Sequence, residues 1–168
     1  MFSLPAGSSL GFNVDMIHWS ENVRRFLLMS YEGESWDSFD VMVRVWDVIT
    51  GTEVLALRLS NVEEVIGVDW NRDEPRILTG SFHDGTGVLR VWDMSNGKEL
   101  LSMHFEGYVA GGTWTTSGRN LLIWAGDMIQ IRDGDSLEEK FTVLDENVVG
   151  AVWNSDESRF SVLVGFWG

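Results

Sequence analysis

The 168-residue chain contains no cysteine, which excludes disulfides, thiolate metal sites and cysteine nucleophiles together. Basic residues are scarce, 12 against 26 acidic, and the formal charge of −14 repels phosphate backbones, so naked nucleic acid is excluded as a partner. A basic protein surface suits that charge, which also keeps a soluble domain dispersed. No apolar run approaches the roughly 20 residues of a membrane span. The opening MFSLPAGSSLGF lacks the basic segment of a signal peptide. A cytoplasmic, soluble chain with no membrane contact is therefore expected. The three histidines, His18, His83 and His104, show no metal-ligand spacing. An apolar content of 44%, with 12% aromatics, nonetheless supplies a core.

What is present is written more than once. GVLRVWDMSNGKEL, residues 87–100, nearly copies MVRVWDVITGTEV, residues 42–54, and a repeated peptide points to a repeated unit that buries its apolar face on a sibling. Four further segments align on tryptophan: VDMIHW ending at Trp19, VIGVDW at Trp70, VAGGTW at Trp114 and VVGAVW at Trp153. Each has valine five residues earlier (Val14, Val65, Val109, Val148). Three have glycine three residues earlier (Gly67, Gly111, Gly150), with Met16 in the remaining copy. Six residues after the tryptophan stand Arg25, Arg76 and Arg159, with Asn120 in the third copy. FLLMS, ILTGS, LLIWA and FSVLVG follow, rich in branched apolar residues, and read as short buried strands. Then come VRVWD, VLRVWD and the weaker IQIRD, where Arg132 replaces tryptophan. Turn signals at Thr50-Gly51, Asn96-Gly97 and Asp135-Ser136 lead into a last strand such as EVLALRL or ELLSMHF. Four strands joined by tight turns make one antiparallel sheet per repeat.

The period, the four strands, the dipeptides Trp46-Asp47 and Trp92-Asp93 (Arg132-Asp133 in the third copy) and the Trp-turn-Arg element together resemble the WD-repeat family of β-propellers. The resemblance covers nearly the whole chain. It implies an all-β fold, an incomplete, half-ring β-propeller of four-stranded antiparallel blades. The blades fall at approximately 13–59, 64–105 and 108–144, with a partial blade at 147–168 and residues 1–4 as a candidate outer-strand remnant. The repeat positions are Trp19, Trp46, Asp47, Gly67, Trp70, Trp92, Asp93, Gly111, Trp114, Asp133, Gly150 and Trp153. Complete rings of the family have about seven or eight blades, so completion is expected from a second copy, another chain or a further segment. In a propeller the first strands converge on the axis. Gly67, Gly111 and Gly150 are therefore expected to admit the neighbouring sheets, while Trp46 and Trp92 fill the space farther out and most aromatics are core. The histidine that joins a buried network in many WD repeats is replaced by Asn61, Phe105 and Leu144, which predicts blades held more by packing than by polar bonds.

No catalytic constellation is visible, and no cofactor or metal is expected. DGDSLEE, residues 133–139, fails as a calcium loop because Leu137 takes a ligand position and Glu138 the place of the required glycine. HDGTG, residues 83–87, joins two strands and opens no helix, so it lacks the amides of a phosphate site. The main expectation is a non-catalytic protein–protein interaction scaffold. A propeller hydrolase with a metal in the channel, for which Asp15, Asp69 and Glu64 are the nearest ligands, and a purely architectural subunit are the alternatives. By resemblance, the loops entering the first strands and those between second and third strands share the partner-binding face. This places Asn13, Glu64, Tyr108 and Asn147 there, with the insert YEGESWDSFD, residues 31–40. Its Tyr31, Trp36 and Phe39 lie among Glu32, Glu34, Asp37 and Asp40, a mixture suited to an interface hot spot. Trp36 could equally anchor the loop on its own blade. Phe82 and His83 form a secondary contact.

Overall fold

A computed structural model describes residues 13–19, 24–35, 38–60, 62, 64–71, 75–107, 110–125, 127–144 and 148–165. Among them are fourteen strands and no helix. β1 (Asn13–Trp19), β2 (Arg25–Ser35), β3 (Ser38–Asp47) and β4 (Thr52–Leu59) form one antiparallel sheet in chain order. A second sheet comprises β5 (Glu64–Asn71), β6 (Arg76–His83), β7 (Thr86–Asp93) and β8 (Glu99–Glu106). A third comprises β9 (Ala110–Trp114), β10 (Asn120–Ala125), β11 (Met128–Asp133) and β12 (Glu139–Leu144). β13 (Val148–Trp153) and β14 (Phe160–Val164) pair as a two-stranded sheet. The chain divides into two compact units, one built on β1–β4 and the other on β5–β14. Each tryptophan-marked segment is the first, edge strand of its sheet. Within the second unit β9 packs against both β5 and β13.

In the first unit β3 alternates fully buried Val41, Val43 and Val45 with half-buried Met42, Arg44 and Trp46, the period-2 pattern of a strand with one face in a core. Phe26 is the register partner of both Trp19 and Trp46. Its ring lies 5.5 Å from Trp19 and stacks on Trp46 at 6.4 Å. Trp19, expected to be core, is 53% exposed, since no sheet of its own unit lies over that face of β1.

Among its described residues the second unit has two cores. Leu78, Leu89 and Val91 of β6–β7 pack against Trp114, Leu121, Ile123, Ala125 and Leu137 of the next sheet. Leu122, Trp124, Ile129, Ile131 and Val143 on that sheet's other face pack against Val148, Ala151, Trp153, Phe160 and Val162. The β9–β12 sheet is thus covered on both sides, which is why LLIW in β10 shows no polar alternation. Burying one such side chain stabilises the fold by about 1.5–3 kcal/mol.

Polar bonds also cross between these sheets, beside the packing expected to predominate. The Asp69 carboxylate on β5 accepts hydrogen bonds from the Trp114 amide and the Thr113 hydroxyl on β9, both at 2.8 Å. Asn71 donates to the Gly118 carbonyl at 3.1 Å, and Arg76 to the carbonyls of Gly134 and Asp135 at 2.5 and 2.7 Å. Ser117 gives its amide and hydroxyl to Glu157 at 2.6 and 2.5 Å. Carboxylates and turn carbonyls thus join the sheets beside their apolar packing, and within the β5–β8 sheet the Trp92 indole donates to Thr79 at 2.9 Å.

The glycine expectation also needs correction. A Cβ at Gly67 would meet nothing within 4 Å, and one at Gly150 only Leu163 Cβ at 4.0 Å. Gly67 and Gly150 instead follow register shifts, between Val65 and Gly67 and between Val148 and Gly150; Val14/Met16 repeats the shift without glycine. The repeated position therefore marks a β-bulge. Gly111 is crowded, at 2.7 Å, by Trp124 of its own sheet. The close approach between sheets falls at Gly112, where a Cβ would lie 2.8 Å from Leu78 Cδ2.

The aspartate of the repeated dipeptide closes the turn after it. Asp47 Oδ1 accepts the amides of Ile49 and Thr50, both at 2.9 Å, and Asp133 Oδ1 those of Asp135 and Ser136, both at 2.9 Å. The Thr50 amide chiefly, with Arg24, holds the Asp47 carboxyl below the usual carboxylate range; Lys140 chiefly, with the turn amides, does so for Asp133. A carboxyl lowered on folding contributes stability that is whole above its unfolded value of about 3.9 and is lost as pH falls through the lower folded value. Unfolding temperature should therefore drop on acidification below about pH 4, and less steeply in an Asp47→Asn/Asp133→Asn double variant. Identical acid limbs in a thermal titration would contradict this role.

Candidate functional site

Of the residues expected to bind partners, Asn13, Tyr31, Phe39, Glu64, Phe82 and His83 lie at the sheet ends where first strands begin and second strands finish or third strands begin. In the first unit Asn13 stands opposite Tyr31. Residues 31–35 and 38–40 continue the β2–β3 hairpin, with Glu32 opposite Asp40, Gly33 opposite Phe39 and Ser35 opposite Ser38. Trp36 lies outside the described residues, as does the side chain of Phe39.

Two carboxylates of this hairpin are matched by cations rising from the sheet below. Arg44, its side chain only 14% exposed, donates to Glu32 at 2.5 Å and to Ser30 at 3.2 Å and pairs with Glu53 at 3.2 Å. Arg58 Nε donates to Asp40 at 2.8 Å, and this bond is the main reason that the Asp40 carboxyl is held below its usual range; the same pairing raises the guanidinium. The hairpin base is therefore less negative than its composition suggests.

In the second unit Glu64 stands opposite Phe82, the register position that Asn13 and Tyr31 occupy in the first. An aromatic residue is thus placed identically in two sheets, facing the residue before the repeat valine. His83 is exposed beside it. Asp84 and Gly85, with φ of 46° and 75°, turn the chain into β7, and the Gly107 amide donates to the Gly85 carbonyl at 3.1 Å. HDG is thus a two-residue hairpin turn with left-handed central residues. Tyr108 and Asn147 lie outside the described residues.

Among the described residues no three His, Asp or Glu side chains converge as a metal site would require. Asp69 is engaged by β9, while the side chains of Asp15 and Glu64 lie outside the described set. No helix of the described residues is long and apolar enough to cross a membrane.

Sequence reasoning missed one repeated device. Arg44 pairs with Glu53, Arg90 with Glu99 at 3.3 Å, and Gln130 donates to Glu139 at 2.9 Å. Each pair joins the third strand to the fourth at the same register, and the recurring spacing from Arg or Gln to Glu was the signal. In the third sheet Arg132, which replaces tryptophan, extends the device by donating to Gln130 and to the Leu137 carbonyl, both at 2.6 Å.

No protein-family model matches the chain, and no curated protein does. Among solved structures it is similar to the crystal structure of Kluyvelomyces marxianus Hsv2, a yeast β-propeller protein. The TM-score is 0.52 at 10% identity, over 86% of this chain and 46% of Hsv2. The chain thus spans about half the length of that structure. With the sheet topology above, the likeness establishes an all-β fold of four-stranded antiparallel propeller blades, matching part of a ring.

Proposed function

We propose that the chain is a WD-repeat propeller segment that serves as a non-catalytic, soluble, intracellular scaffold, presenting the starting ends of its sheets to partner proteins and completed as a ring by another chain or segment. The observation that carries this reading is the equivalent placement of Tyr31 and Phe82 opposite Asn13 and Glu64. Aromatic residues at sheet ends, bordered by charge, have the composition of an interface hot spot. The net charge of −14 favours a partner with a basic surface, whose association would weaken with added salt.

The test begins with co-purification from the native source and mass measurement of what is captured. A Tyr31→Ala/Phe82→Ala double variant should then lose at least about tenfold in affinity, since each hot-spot truncation costs about 1–2 kcal/mol or more. Its unfolding temperature should stay close to that of the parent. Trp36→Ala should behave likewise. Undiminished capture by variants with sharply lower unfolding temperatures would assign these aromatics to the core and overturn the reading.

A further inference from the structure

Among the described residues two apolar sheet faces are exposed, one in each unit. On β1, Ile17 and Trp19 are 56% and 53% exposed, and their spacing puts both on one side of the strand. On β13–β14, Val152 and Leu163 are 62% and 66% exposed. The repeat shows what each face is built to meet. In the alignment Ile17 and Trp19 correspond to Ala151 and Trp153, which are packed against β10–β12. The Trp19–Phe26 ring pair likewise corresponds to Trp153–Phe160, at 5.8 Å. Leu163 corresponds to Trp124, whose ring packs toward β13–β14. The β1 face is thus of the kind that rests on a preceding sheet, and the β13–β14 face of the kind that receives a following one.

We propose that this chain associates with itself head to tail, the β13–β14 face of one copy receiving the β1 face of another. The contact would continue the sheet-on-sheet packing that the second unit makes twice within itself. One chain carries both halves of it, so a second copy presents the matching face to each. β14 adds an edge that pairs only with β13 among the described strands, and edges of this kind favour association. Such an interface is heterologous, so it builds closed rings or open chains. The proposal rests on the completion by another chain proposed above, and it is independent of the Tyr31 and Phe82 ends.

The test is the mass of the full chain by light scattering and sedimentation across a concentration series. The parent should exceed its 19.0 kDa monomer mass increasingly as concentration rises. Ile17→Asp and Val152→Asp, both at exposed positions, should each give monomers with parental circular dichroism. Mixing the two should restore a one-to-one dimer and nothing larger, because only one intact face of each kind remains. Leu163→Lys provides a second disruption of the receiving face should Val152→Asp fail to fold. A parent that stays at 19.0 kDa throughout, variants that assemble like the parent, or a mixture that stays monomeric would each overturn the proposal. A monomer that still captures its partner protein through Tyr31 and Phe82 would remove self-association alone and leave the scaffold reading standing.

Discussion

Gly118→Ala is expected to lower the unfolding free energy by about 2–4 kcal/mol, the sum of a left-handed backbone and an overfilled contact. Gly118 has φ of 71°, where a side chain is strained, and an added Cβ would overlap Asn71 Oδ1. Asn71 is itself buried and donates to the Gly118 carbonyl, so it cannot withdraw without losing that bond. Gly134 is pressed against the other side of the same turn, its amide bonded to the Arg119 carbonyl at 2.7 Å. The contrasting variant is Gly67→Ala, which meets nothing and should change stability by no more than about 0.5–1 kcal/mol. Denaturant midpoints with an unchanged slope read both values. Equal effects at the two glycines would show that turn-to-turn packing is not what Gly118 serves.

Asp69→Ala should cost about 2–3 kcal/mol, because it strands donors that were bonded to a charged acceptor. The Asp69 carboxylate takes the Trp114 amide and the Thr113 hydroxyl across the gap between β5 and β9, and its other oxygen takes the Trp70 amide at 2.8 Å. Asp69→Asn keeps one acceptor oxygen and should cost less. The distinguishing readout is amide hydrogen exchange: protection of Trp114 should fall more than that of Ile123 in the middle of β10. Were both amides to lose protection equally, the carboxylate would be acting on global stability and not on this joint.

The sequence displays the sheets clearly because each tryptophan-marked strand, apolar second strand and Trp-Asp strand recurs in phase, and a period-2 pattern fixes which neighbours pair. It does not display the joints between sheets in the same way. Gly111 and Gly112 are adjacent, and only the register tells that Gly111 meets Trp124 of its own sheet while Gly112 meets Leu78 of the next. Asp69 reads as a candidate metal ligand because a carboxylate in an inner strand carries no mark of the amides it will receive from residues far along the chain. Residues 31–40 read as a loop because of their glycine and acidic residues. Residues 31–35 and 38–40 pair as strands, where Arg44 and Arg58 on neighbouring positions neutralise Glu32 and Asp40. Tyr31 and Phe82 stand out individually as aromatics in polar surroundings. Their equivalence emerges only once Asn13 and Glu64 are seen to be their register partners.

Within the second unit the tryptophan-marked strands of successive sheets lie beside one another, with β9 against both β5 and β13. The chain has no cysteine, so a pair introduced by Asp69→Cys and Thr113→Cys is the only thiol pair present, and mild oxidation followed by intact-mass and gel-mobility measurement reports its proximity. The parent side chains are hydrogen-bonded at 2.8 Å, so rapid intramolecular disulfide formation is expected there. It should not occur in a control pairing Thr113→Cys with Ser102→Cys on the outermost strand β8. Cross-linking that is equally fast in both, or faster in the control, would mean that the tryptophan-marked strands are not neighbours and would contradict the architecture.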